Sequence, residues 1–172
     1  MSAPDIVLAH LSRPDHMQIK VAAIGRRMPV WVTLAWQEYA RRFSGAVRLE
    51  LAELRMERRG QNADIERIRS REGDALMAAV PKGARPVALD IGGQAWSTQT
   101  LASKLEEWLA GGRDVCLMVG GPDGLSSECL SWAENTWSLG PLTFPHPLVR
   151  VILVEQLYRA WTIVNKHPYH RE

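Results

Sequence analysis

Apolar and polar positions along the chain change period repeatedly, which predicts strands and helices in turn. The segment VRLELAEL (47–54) alternates apolar and polar residues at period two, as a half-buried strand does. Three further apolar runs, at 17–25, 85–91 and 114–119, reach glycine at their ends, and we predict that they are strands too.

Helical patterns occupy the segments between these strands. Proline at the first position predicts a helix over 29–43, and Asn62 is a candidate cap for the next one. Ser97 or Thr98 would cap a third helix, which ends at the glycine pair 111–112. The remaining predictions are a short helix at 127–134, an extended segment at 137–144 and a long last helix opened by Pro147. This alternation favours an α/β fold with a mainly parallel sheet flanked by helices.

The first sixteen residues do not fit this pattern. They lack the basic start and the long apolar stretch of a secretory signal, and Met17 follows them directly. We therefore expect residues 1–16 to be a tag or a disordered extension. The rest, 17–172, is long enough for a single domain with its own core.

Composition narrows the class of protein further. Apolar residues make up 46% of the chain and charged residues 23%, which is typical of a globular protein and excludes a fibrous or disordered one. No apolar run approaches the roughly 18 residues needed to cross a bilayer. Cys116 and Cys129 lack metal-ligand spacing, so we expect buried, reduced thiols. The sequence predicts a soluble cytoplasmic protein without a metal or a membrane partner.

The charge is mildly basic and unevenly distributed. Net charge is +2 for the whole chain, and it is +3 once residues 1–16 are set aside. Six arginines fall within seventeen residues: Arg55, Arg58, Arg59, Arg67, Arg69 and Arg71. They form either a salt-bridged helix face or, in the loop 55–62, a contact with phosphates. Arg58 and Arg59 are therefore tentative substrate contacts.

Three predicted strand exits carry glycine where a ligand would approach the backbone. They are LDIGG (89–93), VGGPDG (119–124) and SLGPLTFPHP (138–147). Open α/β sheets bind ligands beyond the carboxyl ends of their strands, so these loops are expected to form one site. Neither a phosphate-binding P-loop nor a dinucleotide GxGxxG motif occurs, so the ligand should be of another kind.

The last predicted helix places a cation within its apolar stripe. Arg150 shares that stripe with Val154, Leu157 and Trp161, in a first turn where the helix dipole disfavours positive charge. A buried guanidinium needs an anionic partner, which is either a structural carboxylate or a ligand's phosphate or carboxylate. The helix is apolar over more than half of its circumference, which suggests contact with a second subunit.

Other side chains near this helix have two interpretations each. His146 falls at the N-cap position, which histidine does not favour, and it is either functional or a hydrogen-bonded loop residue. Tyr158 either borders the same cleft, as a tentative substrate contact, or is a core tyrosine. The terminal NKHPYHRE concentrates Tyr169, His170 and neighbouring charge in a segment that is either a solvated tail or part of a site.

Several of these stretches together resemble one known family. LDIGGQAWST, GRDVCLMVGGPDGLS, SLGPLTFPHPLVRVILVEQLYRAW and NKHPYHRE are similar to the ribosomal RNA large subunit methyltransferase H (RlmH) family of the SPOUT methyltransferases, over about 17–172. The resemblance implies a homodimer with a C-terminal trefoil knot. It also implies that S-adenosylmethionine is used to methylate N3 of a pseudouridine in 23S (large-subunit) rRNA on the assembled ribosome.

The resemblance also assigns roles to individual residues. Cofactor contacts would fall on Leu89, Gly120, Leu139, Gly140, Pro141, Leu142, Thr143 and Phe144. From the reaction itself we hypothesise that the tail folds over the cofactor of its own subunit or of its partner. Tyr169 and His170 would then position the base or relay its proton, His146 is a second candidate, and Arg150 would anchor phosphate or stabilise the imide anion. Two alternatives stay open: a methyltransferase for another RNA position, and a ribosome-binding module without catalysis.

Overall fold

A computed structural model describes residues 16–171 as a sheet of five parallel strands with helices on both faces. The strands are β1 (Met17–Ile24), β2 (Val47–Leu54), β3 (Arg85–Ala95), β4 (Val115–Val119) and β5 (Asn135–Ser138). The helices are α1 (Val30–Ala40), α2 (Ile65–Ala79), α3 (Thr98–Gly111), α4 (Ser127–Trp132) and α5 (His146–Val164), and a terminal 3-10 helix spans Pro168–Arg171. The expected α/β fold with a parallel sheet is confirmed.

The sheet order is β2-β1-β4-β3-β5, and every pairing is parallel. Side chains of β1 alternate between two cores, because successive residues of a strand point to opposite faces. Ile19 and Val21 pack with α1, α3 and α5 on one face. Ala22 and Ile24 pack with α2 and α4 on the other. Because all the strands are parallel, their carboxyl ends lie at the same edge of the sheet.

Three local predictions need correction. Asp64, not Asn62, caps α2, since its Oδ1 accepts a hydrogen bond from the Arg67 amide at 3.0 Å. β3 runs on to Ala95, through a register shift that pairs both Leu89 and Gln94 with Trp137. The extended segment predicted at 137–144 is a strand only as far as Ser138, and the rest is the loop that leads to α5.

Both cysteines are free and buried, as expected. Burial raises the pKa of the Cys116 thiol to about 11, so it stays protonated. Within residues 16–171 no three His, Cys, Asp or Glu side chains gather as a metal site would require. Over the same residues no helix is long and apolar enough to cross a membrane. The prediction of an extension at 1–16 falls almost wholly on residues 1–15, which lie outside the described part of the chain.

The path of the chain into α5 shapes the region beyond the sheet. β5 is the edge strand, separated from β1 by β3 and β4. Arg150 of α5 nevertheless donates to the carbonyls of Ile24 and Gly25 at the end of β1. The loop 139–145 therefore passes across the exits of the intervening strands.

Helix α5 packs against both α1 and α3 of its own chain. Its predicted stripe is buried as expected: Arg150, Val154, Leu157 and Trp161. These intrachain contacts account for much of its broad apolar surface, which the sequence analysis had attributed to a second subunit. Exposed apolar side chains occur instead on α1, at Val30, Trp31 and Leu34.

Candidate functional site

The exits of β3, β4 and β5 enclose a cavity of about 530 Å³. Each of the three glycine-bearing loops contributes to its wall. Leu89, Asp90 and Ile91 come from the first; Val119, Gly120, Gly121, Pro122 and Gly124 come from the second; Leu139, Gly140, Leu142, Thr143, Phe144, Pro145, His146 and Val149 come from the third loop and the start of α5. The three loops therefore form one site, as strand order and the general rule for such sheets require.

Most of the residues that the resemblance assigns to a cofactor line this cavity. They are Leu89, Gly120, Leu139, Gly140, Leu142, Thr143 and Phe144. Pro141, an exposed residue in the bend that follows Gly140, does not line it. Whether the lining residues contact a cofactor stays a prediction.

Two glycines in the wall are required for different reasons. A Cβ on Gly120 would lie 2.7 Å from the carbonyl carbon of Gly124, so glycine is needed here for the chain's own tight turn. Gly140 has φ +127°, a conformation that other residues rarely adopt, and it has open space where a Cβ would stand. In the first loop Gly93 is fixed in the same way as Gly120, because a Cβ there would lie 2.7 Å from the Thr136 carbonyl oxygen.

His146 is the titratable ring that borders the cavity. It is the first residue of α5 and Pro145 is the N-cap, so the predicted N-cap position of His146 is wrong by one residue. Burial, followed by the nearby positive charge of Arg150, lowers the pKa of this imidazole. Its Nε2 is buried and has no hydrogen-bond partner among the described residues. A neutral ring with an unpartnered nitrogen beside a cavity can accept or donate a proton there.

Arg150 lies one turn further along α5 and is fully buried. Its Nη1 forms an ion pair with Glu53 of β2, and its Nη2 donates to the backbone oxygens of Ile24 (3.2 Å) and Gly25 (2.5 Å). The sequence left open whether the anionic partner of Arg150 is a carboxylate of the protein or a group of a ligand. The structure shows a carboxylate of the protein, that of Glu53. Arg150 does not line the cavity, so in this arrangement it is placed to hold His146 and the β1 exit rather than to touch a ligand.

Arg59 is held by two carboxylates. Its Nε donates to Asp123 at 2.7 Å, and Nη1 and Nη2 donate to the carboxylate of buried Glu72 at 3.0 and 3.1 Å. The hydrogen bond with Glu72 is the main cause that raises the pKa of Arg59. Since Asp123 belongs to the turn that includes Gly121 and Gly124, Arg59 positions a wall of the cavity.

Arg58 and Arg59 are adjacent in sequence but differ in their ion pairs. The tentative assignment of Arg59 to substrate is not supported, because its guanidinium is already occupied inside the chain. Arg58 is exposed and forms no ion pair within residues 16–171, which leaves it available to a partner. The spacing of the arginines in the sequence did not distinguish the two.

The terminal 3-10 helix lies far from the cavity of its own chain. The Tyr169 ring packs edge-on against Tyr158 at 4.8 Å between centroids, and its hydroxyl donates to Glu155 Oε1 at 3.2 Å. Burial, then a hydrogen bond with Tyr39, raises the pKa of Tyr169, so the phenol is protonated. His170 is half-buried, and its Nδ1 has no partner in the described chain.

The structure therefore brings together only part of the predicted catalytic group. Glu155 and Tyr158 are nine and twelve residues after His146, which corresponds to about 14 and 18 Å along the helix axis. Tyr158 is a core residue packed against Tyr39, Phe43 and Trp161, and it does not border the cavity. Tyr169 and His170 do not reach the cavity of the same chain.

Two residues at the site were missed from the sequence. Glu53 is the penultimate residue of β2, and nothing in the sequence distinguished it from the other charged residues of that alternating strand. Only its ion pair with buried Arg150 shows its role. Asp90 is the one carboxylate among the residues that line the cavity, and its Oδ2 accepts a hydrogen bond from the Gly92 amide at 2.8 Å. It lies inside the LDIGG loop, so its position was foreseen although its role was not.

A parallel α/β sheet with a cavity enclosed by three strand exits is the arrangement in which open α/β proteins bind small organic ligands. A family model described as "Predicted SPOUT methyltransferase" matches residues 17–170. The match covers nearly the whole chain, so the chain belongs to the SPOUT methyltransferase family.

Proposed function

We propose that this chain is an S-adenosylmethionine-dependent methyltransferase that modifies N3 of a pseudouridine in 23S rRNA on the assembled, cytoplasmic ribosome. One observation carries the proposal: the three glycine-bearing loops converge on one cavity, with neutral His146 at its edge. Membership of the SPOUT methyltransferases supports the cofactor, which this family generally uses. The narrower RlmH assignment rests on the motifs that resemble that family.

The chemistry of the cavity suits this cofactor. Its volume falls within the range of about 300–1,000 Å³ that small-molecule sites occupy. Side chains such as Leu89, Leu139 and Phe144 offer apolar surface for an adenine ring, and backbone groups at Gly120 and Gly140 are accessible to its polar edge. The carboxylate of Asp90 offers negative charge to a cationic ligand.

When bound, S-adenosylmethionine supplies a methyl group on a positively charged sulfur. The protein's part is to hold the acceptor nitrogen in line and to remove its proton, because a neutral imide N–H is a poor nucleophile. His146 accepts that proton through Nε2, which has no partner among the described residues. Arg150 and Glu53 hold the histidine-bearing turn against the β1 exit.

We propose further that the protein acts as a homodimer whose terminal residues serve the partner's cavity. Tyr169 and His170 are about 14–18 Å along α5 from the cavity of their own chain, which motivates their assignment to the cavity of a second copy. Exposed Val30, Trp31 and Leu34 on α1 and Leu148 on α5 supply apolar surface for such a contact. There Tyr169 and His170 would position the base or relay its proton.

The proposal includes the C-terminal trefoil knot of the resembling family. Its support is the path from the edge strand β5 across two strand exits to β1, followed by helix α5. True knots are essentially absent among folds, so sequence rules would not have suggested this one.

Methyl transfer from labelled S-adenosylmethionine to assembled ribosomes tests the function. We expect label in large-subunit rRNA on ribosomes that contain the pseudouridine. Free rRNA and ribosomes that carry uridine at the same position should stay unlabelled. Label at another position would favour a different RNA methyltransferase. Calorimetry that finds no binding of S-adenosylmethionine would favour a ribosome-binding module instead.

A further inference from the structure

Four exposed arginines lie just beyond the carboxyl ends of β1 and β2. Arg26 and Arg27 follow Gly25, and Arg55 and Arg58 follow β2. None of the four forms an ion pair with another residue in the range 16–171. Arg26 has only a bond from its Nε to the Glu53 backbone oxygen at 3.3 Å. We name these four residues the arginine edge.

The strand exits that carry the arginine edge lie beside the cavity. The Gly25 amide donates to the Leu54 carbonyl at 2.7 Å, which joins the exits of β1 and β2. A Cβ on Gly25 would lie 3.7 Å from His146 Nε2, and one on Gly121 would lie 3.2 Å from Ile24 Cγ2. The β1 exit thus contacts both the histidine and the second loop of the cavity wall.

Carboxylates near the arginine edge are already neutralised by other cations. Glu53 pairs with Arg150, and Asp123 pairs with Arg59 at 2.7 Å. Glu57 lies 3.6 Å from Arg71. The charges of the arginine edge are therefore not cancelled locally.

Other cations of the chain show a different arrangement. Several of them are neutralised by a carboxylate of the same chain, as in the ion pairs Lys104–Glu107, Arg113–Glu134 and Arg159–Glu155. Arg48 and Lys82 are exposed and lack ion pairs in the described chain, but they lie near the amino ends of β2 and β3, at the opposite edge of the sheet. Arg67, Lys166 and Arg171 are also exposed without ion pairs among residues 16–171. The arginine edge differs from them in that four arginines follow two adjacent strand exits next to the cavity.

We propose that the arginine edge is the surface that grips RNA phosphates beside the reaction site. This inference rests on the proposed function and assigns its substrate contact. Guanidinium groups bind phosphate oxygens with paired N–H donors, and phosphate contacts fix the register of a nucleic acid on a protein. The cavity next to them then receives the base that belongs to the held backbone.

A pair of charge-matched double variants tests the surface. Arg55→Ala/Arg58→Ala removes two charges at the arginine edge, and Arg48→Ala/Lys82→Ala removes two at the opposite edge. The probe is a fluorescent RNA hairpin of rRNA sequence, and anisotropy gives its Kd over a series of KCl concentrations. Calorimetry with S-adenosylmethionine on each variant shows whether the cavity is intact.

We expect the arginine-edge variant to bind the hairpin more weakly, with a salt slope about 1.5 smaller in magnitude, because each phosphate contact contributes about 0.7–0.9. The opposite-edge variant should match the unmodified protein in slope, and both variants should keep its cofactor affinity. Equal changes in both variants, or no change in either, would overturn the surface while leaving the proposed function standing. Binding to anionic vesicles with no binding to the hairpin would overturn it as well. Failure of the unmodified protein to bind S-adenosylmethionine would instead count against the proposed function.

Discussion

The two ends of helix α5 carry chemistry of similar kind in different surroundings. At its amino end, His146 borders the cavity and Arg150 is fully buried against Glu53. At its carboxyl end, Arg159 and Tyr169 share the carboxylate of Glu155 on a partly exposed surface. The first end is tied to the sheet by contacts across more than ninety residues. The charged pair at the second end joins adjacent turns of one helix, and its long-range contact, Tyr169 with Tyr39, reaches α1 and not the sheet.

This difference shows why a group of reactive residues in sequence need not form one site in a chain. All four candidate catalytic residues lie within twenty-five positions of one another. A helix nevertheless separates its ends by its full length, about 28 Å for nineteen residues. The terminal residues can meet the cavity only through a second copy or by leaving their present contacts.

Mixed dimers test this separation with the largest expected effect. One chain carries His146→Ala, and the other lacks residues 168–172. We expect neither homodimer to methylate ribosomes, because each lacks one half of every site. The heterodimer should recover about half of the normal rate, since one of its two sites would be complete.

Tandem affinity purification with a different tag on each chain isolates the heterodimer for this assay. The matched control is a heterodimer in which both changes are on the same chain, and it should show no recovery beyond that from exchange of subunits. An inactive mixed dimer with both chains folded would mean that the tail serves its own chain. Full activity of the shortened homodimer would remove the tail from the mechanism.

The second largest effect is expected in stability, where removing an arginine at the amino end of α5 should cost more than removing one at its carboxyl end. Arg150→Met removes the donor from the buried carbonyl oxygens of Ile24 and Gly25 and the partner from Glu53, and we expect a loss of about 3 kcal/mol in the free energy of unfolding. Arg159→Met makes the same chemical change in the same helix, but its pair with Glu155 is partly exposed and joins adjacent turns. Its loss should stay below about 1 kcal/mol. Urea denaturation at one pH measures both, and equal losses would contradict the contrast.

A smaller effect is expected at the contact between Tyr169 and Tyr39. Tyr169→Phe keeps the ring against Tyr158 but removes the hydroxyl that meets Tyr39 at 3.3 Å and Glu155 at 3.2 Å. We expect a loss of about 1 kcal/mol or less. A double-mutant cycle with Tyr39→Phe isolates the coupling between the hydroxyls, and zero coupling would show that they do not interact in solution.

The smallest expected effect is a shift in a titration. Because burial and Arg150 lower the pKa of His146, its acid limb should fall below 6.5 in NMR titration and in the pH profile of kcat/KM. The sign for stability follows: the contribution of neutral His146 is complete above 6.5 and is lost as pH falls from there through the folded value. A midpoint at or above 6.5 would mean that the ring is not held in the buried, arginine-flanked position.

Local pattern was sufficient for most of the fold. The period-two alternation predicted β2, and glycines after apolar runs predicted where β1 and β4 end. Ser97, one of the two capping candidates for α3, is its N-cap. The start of α2 was misplaced because Asn62 and Asp64 are both good capping residues. The extension of β3 past Leu89 depends on a register shift against β5, which no single strand encodes.

The site was predictable as a place but not as a set of contacts. Strand exits must converge in a parallel sheet, so the three loops could be named in advance. The need of Arg150 for an anion followed from burial, but the choice of Glu53 depends on a contact 97 residues away. In the same way, only the fold shows that Arg59 is enclosed by Glu72 and Asp123 while Arg58 has no ion pair among residues 16–171.

The bond network of Arg150 has a consequence for how the protein is made. Chains grow at about 5–20 residues per second, so Arg150 leaves the peptidyl transferase centre roughly 5–20 seconds after Glu53, its partner 97 positions earlier. Until then the β1 exit lacks the hydrogen bond from Arg150 to Gly25, and His146 is not held beside it. Placement of His146 against the β1 exit therefore waits until synthesis has passed Arg150, almost one hundred residues after the strands β1 and β2 that it joins.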